Sequence, residues 1–112
     1  MNAKDELLDL IKEYKVELKA AIVEDVYYDI DEKNRRKFIL YPGYSKDELT
    51  EFLKKLNFKY HEGFGSQVLG GTLWFVGGTW ADRGEYDGSE WWEYHVRPKL
   101  PKKLQQRTID NT

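Results

Sequence analysis

Leu7, Leu10, Ile11 and Tyr14 recur three or four positions apart, so a 3.6-residue turn gathers them on one side. Asp5 and Glu6 occupy the first turn, where the helix dipole favours negative charge. The pattern predicts an amphipathic helix from Ala3 to Tyr14. From Val16 the period drops to two: Val16, Leu18, Ala20 and Ile22 alternate with Glu17, Lys19 and Ala21, predicting a half-buried strand that runs to Tyr28. The charged run Asp29 to Lys37 reads as a turn. The apolar run Phe38 to Tyr41, stopped by Pro42 and Gly43, reads as the returning strand of a hairpin. A second helix follows, with Ser45 as cap, Glu48 completing a capping box, and Leu49, Phe52, Leu53 and Leu56 as one apolar stripe ending near Asn57.

Beyond Phe58 the pattern changes to strands and turns, because eight of the nine glycines lie between Gly63 and Gly88 and all four tryptophans between Trp74 and Trp92. Gly77-Gly78 suits a two-residue hairpin loop, which sets Phe75 opposite Trp80 and Leu73 opposite Asp82. At Asp87-Gly88 a two-residue loop would oppose Glu85 to Glu90. A three-residue loop instead pairs Arg83 with Glu93 and lays Trp92 across Gly84, and on the sign of the charges it is preferred. With these registers Leu73, Phe75, Trp80, Trp92, Tyr94 and Val96 face the core. Asp82 is an anomaly on that side. Trp74, Val76, Arg83, Trp91, Glu93 and His95 face away. The expected fold is α+β: two helices packed on one antiparallel sheet, with a C-terminal Trp-rich β-meander.

One hundred and twelve residues, 40% of them apolar, fit one modest core. Residues 1–101 form the expected domain. The proline-broken, basic stretch 102–112 reads as a polar tail that adds little to folding. No cysteine is present, which excludes a disulfide scaffold, a thiol nucleophile and a thiolate zinc site. The start MNAKDELLDLIKEYK has no apolar signal-peptide region, so a protein of the host cell cytoplasm with no membrane partner is expected.

The stretches Tyr60-His-Glu-Gly-Phe-Gly-Ser-Gln, Gly71-Thr-Leu-Trp-Phe, Gly78-Thr-Trp and Arg83-Gly-Glu-Tyr-Asp-Gly-Ser-Glu-Trp-Trp-Glu-Tyr94, then Pro98, resemble a set of small phage and prophage proteins. The resemblance spans roughly Tyr44 to Pro101 and implies a phage or mobile-element origin; it carries over no catalytic residue. The chain departs from that set at Gly77, where the pattern is typically acidic, and in its basic tail.

Motif chemistry is sparse. His61 and His95 have no metal-ligand spacing, no nucleophile elbow surrounds Ser66 or Ser89, and Gly63-Phe64-Gly65-Ser66 precedes no Lys-Ser or Lys-Thr, so it reads as a turn. The expectation is no enzyme, no metal and no cofactor. The formal net charge of −2 signals no general affinity for nucleic acid, yet Asp82 to Glu93 holds five acids against Arg83 alone. Tryptophan and arginine are enriched among interface hot spots. The candidate binding residues are therefore Trp74, Arg83, Glu85, Asp87, Glu90, Trp91, Glu93 and His95. The expected function is that of a phage-type accessory protein binding stoichiometrically to a host protein. Its partner would be a defence nuclease or other nucleic-acid enzyme, whose basic channel the acidic, tryptophan-bearing hairpin enters. A single-stranded nucleic-acid-binding module, with Trp74 and Trp91 as stacking platforms beside Arg83, His95 and Arg97, is an alternative, and a structural or assembly role in a phage is another.

Overall fold

Two helices begin at well-formed caps. The Asn2 side chain accepts from the Asp5 N–H at 3.0 Å and starts α1, Ala3–Tyr14. Ser45 and Glu48 exchange side-chain and backbone hydrogen bonds at 3.1 and 3.2 Å and start α2, Lys46–Lys55. The expected capping box is thus present, and each cap satisfies N–H groups that have no partner within the helix. Lys15 in the left-handed region (φ 53°) ends α1. These elements belong to a computed structural model that describes residues 2–26, 36–60, 68–86, 89–98 and 101. The end of the first predicted strand at Tyr28, most of the charged turn Asp29 to Lys37, His61, the Gly63–Ser66 segment, Asp87 and the tail 102–112 lie outside the described residues.

Five strands, β1 (Leu18–Asp25), β2 (Lys37–Leu40), β3 (Leu69–Phe75), β4 (Trp80–Tyr86) and β5 (Ser89–His95), form one antiparallel sheet in the order β2-β1-β3-β4-β5. The expected α+β architecture, hairpin and C-terminal meander are all present. Both helices pack on one face: Leu7 and Leu10 of α1 and Phe52 of α2, with Leu56 just after it, share a core with Ala21, Val23, Phe38, Leu40, Leu73, Phe75, Ala81 and Trp92.

β1 corrects the simple alternation. A bulge between Leu18 and Ala20 inserts one residue, so Leu18, Ala21 and Val23 are buried while Ile22 turns outward, 38% exposed. The Leu18 carbonyl at this interruption accepts from the Tyr44 hydroxyl at 2.5 Å.

The meander corrects both turns. Trp74 pairs with Trp80 and Leu73 with Ala81, and Phe75 N–H donates to Thr79 across three residues, Val76 to Gly78. Tyr86 pairs with Ser89, leaving two residues between them. Each loop therefore differs by one residue from expectation, in opposite senses. A one-residue change turns a strand over and a second, opposite change restores the next. As a result β3 and β5 present the expected faces and β4 alone is inverted; Val96, expected in the core, lies past the end of β5 and is 64% exposed. Trp80 and Asp82 point away from the helices, whereas Ala81 and Arg83 point toward them.

Candidate functional site

Arg83 is the consequence of that inversion. Expected on the outer face, its side chain is 2% exposed and lies beneath α1, where Nη1 pairs with Glu6 at 2.5 Å and Nη2 with Glu90 at 2.6 Å. Nη2 also donates to the Tyr60 hydroxyl at 3.0 Å, and the guanidinium lies 4.8 Å over the Trp92 ring. The Tyr60 hydroxyl in turn donates to Glu6. Burial works against a charged guanidinium, but the charge and hydrogen bond of Glu6 outweigh it and leave the Arg83 pKa raised. Burial, aided by the bond to Glu6, likewise raises the Tyr60 phenol above its ordinary value.

Glu90, expected as a binding residue of the acidic hairpin, is buried in the same cluster. The ladder between β3 and β4 covers only Thr72 to Trp74. Beyond it, where β3 begins, the Glu90 carboxylate accepts from the backbone N–H groups of Val68 at 2.7 Å and Leu69 at 3.0 Å. The cross-strand pair Glu85–Glu90, which argued against the two-residue loop, is present. It is tolerated because Glu90 has a guanidinium and two backbone donors of its own, while Glu85 is exposed. Arg83 and Glu90 thus form part of the interior and cannot belong to an exposed patch.

The opposite face of the sheet carries no described helix. Its outward positions include Ile39 on β2, Ile22 on β1, Trp74 on β3, Trp80 and Asp82 on β4, and Trp91, Glu93 and His95 on β5. Trp74 and Trp91 are 40% and 41% exposed, and Ile39 is 41% exposed. Between β1, β2 and Trp74 lies an open apolar groove of ≈ 390 Å³ bordered by Ile22, Ile39, Tyr41 and Pro42. Trp91, not Trp92, covers Gly84: a Cβ on that glycine would come within 2.5 Å of the Trp91 indole nitrogen. The absent side chain lets the indole lie flat on the strand.

A polar cluster interrupts this aromatic face. Asp82 stands directly opposite Glu93, and His95, two residues further along β5, places Nε2 2.6 Å from Asp82 Oδ1. Trp80 stacks on the His95 ring, with centroids 5.4 Å apart. Of the eight predicted binding residues, Trp74, Trp91, Glu93 and His95 share the outer face. Glu85 is exposed on the strand side that faces the helices, Arg83 and Glu90 are buried, and Asp87 lies outside the described residues. Sequence reasoning missed Trp80, Asp82, Ile22 and Ile39 as outward residues. The misfit of Asp82 among apolar neighbours is the one sequence signal that β4 faces the other way.

The chain matches no protein-family model, no curated protein and no solved structure. Among the described residues, no helix is long and apolar enough to cross a membrane.

Proposed function

We propose that this protein acts by stoichiometric binding to a partner protein through the open face of its sheet. The observation that carries the reading is the set of tryptophans Trp74, Trp80 and Trp91, with Ile22 and Ile39, on a face that no helix covers among the described residues, while both helices pack on the other. Large rings on a rigid sheet supply contact area at little entropic cost, and a polar rim supplies orientation. The partner class we propose is a host nucleic-acid enzyme that a phage-type protein would inhibit. That part rests on the resemblance of the C-terminal motifs and on the acidic Asp82 and Glu93 among the rings.

The stacking rings also suit single-stranded nucleic acid, with Lys19 and Arg97 beside Trp74 and Trp80, but burial of Arg83 takes one of the expected backbone contacts off the face. Testing takes two steps. Immobilised protein is used to capture partners from host lysate, and the capture is repeated with Trp74→Ala and Trp91→Ala proteins whose folding has been verified. A captured enzyme should be inhibited with saturation near one equivalent, and either substitution should weaken its binding by about 2 kcal/mol or more. Capture that both variants leave unchanged would sink the assignment of the face. Salt-sensitive binding of a labelled oligonucleotide, with no captured protein, would favour the nucleic-acid reading instead.

A further inference from the structure

Asp82, Glu93 and His95 match no metal-binding motif by their spacing in the sequence; the sheet brings them together. One ligand atom from each lies within 4.8 Å of the other two. Asp82 and Glu93 are cross-strand neighbours on β4 and β5, and His95 shares the Glu93 face of β5. All three are therefore held by one ladder and not by loops. We propose that this triad is a binding site for a first-row divalent transition-metal ion, for which Zn²⁺ is the natural probe.

Charge is the first argument. Two carboxylates directly opposite each other on a sheet repel. The outward positions of β3, β4 and β5 carry no lysine or arginine, and their one basic side chain is His95; Arg97, just past β5, lines the surface beside Trp74 and Trp80 and pairs with neither carboxylate. A protonated imidazole would neutralise one carboxylate and leave the other. A dication with neutral His95 balances both.

Donor chemistry and reach supply the second argument. One imidazole nitrogen and two carboxylate oxygens form a mixed nitrogen and oxygen set, which favours zinc and its neighbours over magnesium or calcium, ions that prefer oxygen alone. Bonds to zinc of about 2.0–2.2 Å put tetrahedral ligand atoms about 3.3 Å apart. The present separations reach that value by small side-chain rotations: Asp82 and His95, at 2.6 Å, part slightly, and Glu93 closes in. Rigidity comes from Trp80, whose ring stacks on His95 and limits its swing. The remaining coordination position opens to solvent, since the Asp82 side chain is 51% exposed and that of His95 33%.

Zinc chloride is titrated into the full chain, free of any affinity tag and stripped of metal, by calorimetry and by tryptophan fluorescence. The expected result is one Zn²⁺ per chain and a change in emission from the Trp80 stacked on His95, with Mg²⁺ producing neither. His95→Gln, Asp82→Asn and Glu93→Gln should each weaken binding about tenfold or more, since loss of a direct ligand costs at least as much as loss of a group that merely orients one. His61→Gln should change nothing. If His95→Gln perturbs folding, the exposed Glu93→Gln carries the test. The proposal is overturned if Zn²⁺ up to about 0.1 mM leaves heat and fluorescence unchanged. It is equally overturned if the affinity survives in the folded Asp82 and Glu93 variants, in which case the triad is a salt bridge and nothing more.

Discussion

Arg83 sits between two carboxylates, Glu6 from the first helix and Glu90 from the last strand, with almost no access to water. Removing one member of a buried ion pair leaves uncompensated charge, and here two carboxylates would be stranded. Arg83→Ala is therefore expected to cost about 3–5 kcal/mol, a large share of the 5–15 kcal/mol typical of a domain, and urea denaturation will measure it. An exposed arginine would instead change stability by about 0.5 kcal/mol or less. Tyr60 adds a pH dependence of definite sign. Its folded-state pKa is raised, chiefly by burial and then by the bond to Glu6, so near pH 10 and above the unfolded chain releases a proton that the folded chain retains. The Tyr60 contribution is complete below about pH 10 and shrinks as the pH climbs above it. Tyr44, raised by burial and then by Glu17, acts in the same direction. Chemical denaturation between pH 8 and 11 should show stability falling at the alkaline end, with a shallower fall in Tyr60→Phe.

At the scale of elements, the helices follow local rules and the strands follow their neighbours. Ser45→Ala should cost α2 about 1 kcal/mol by removing one cap hydrogen bond. A strand glycine is less forgiving. Gly71 has φ 135°, and a Cβ there would lie 2.0 Å from the Ile22 carbonyl oxygen, so β1 and β3 approach one another only because no side chain intervenes. Gly71→Ala should cost more than the cap, on the order of 2–3 kcal/mol, because an unfavourable backbone conformation and a backbone clash act together. A thermal melt that ranks the two substitutions in the opposite order would show that the β1–β3 contact is looser than described. The bulge at Lys19 has a visible consequence too. The outward turn of Ile22 brings it beside Ile39, its directly paired neighbour on β2, and so places two large apolar side chains on the open face.

For the whole molecule, the decisive feature is asymmetry: one face of the sheet holds both helices and the other holds three of the four tryptophans. Trp92 lies in the core, 8% exposed, and Trp92→Ala is expected to cost about 3–5 kcal/mol. Trp74→Ala and Trp91→Ala, at partly exposed outer positions, should cost markedly less in thermal melts. Trp80 belongs with these two and not with Trp92, which reverses the sequence expectation and makes Trp80→Ala a direct test of the β4 inversion. Should Trp80→Ala destabilise as severely as Trp92→Ala, the pairing of Trp74 with Trp80 and of Leu73 with Ala81 is wrong.

Local chemistry was sufficient for much of this. Capping residues and apolar periodicity identify Ala3–Tyr14 and the helix after Ser45, and alternation with glycine-rich turns identifies the meander, because each depends on residues within one or two turns of chain. The outer placement of Trp74 follows from alternation along β3, whereas that of Trp91, Glu93 and His95 comes out right because the two one-residue turn errors cancel across β4. The orientation of β4 was not legible. It depends on whether each turn contains two or three residues, a choice that cross-strand charge terms of about 0.2–1 kcal/mol decide poorly. Glu6 lies 77 positions from Arg83, and no window along the chain reveals that it will receive the guanidinium. Small Ala81 at the centre of the core, and the guanidinium and two backbone donors that Glu90 receives, offset the Glu85–Glu90 repulsion that local pairing rules weigh against this register. The Asp82, Glu93 and His95 triad arises from the same register. Cross-strand proximity is created by pairing, so only the folded sheet could bring its three donors together.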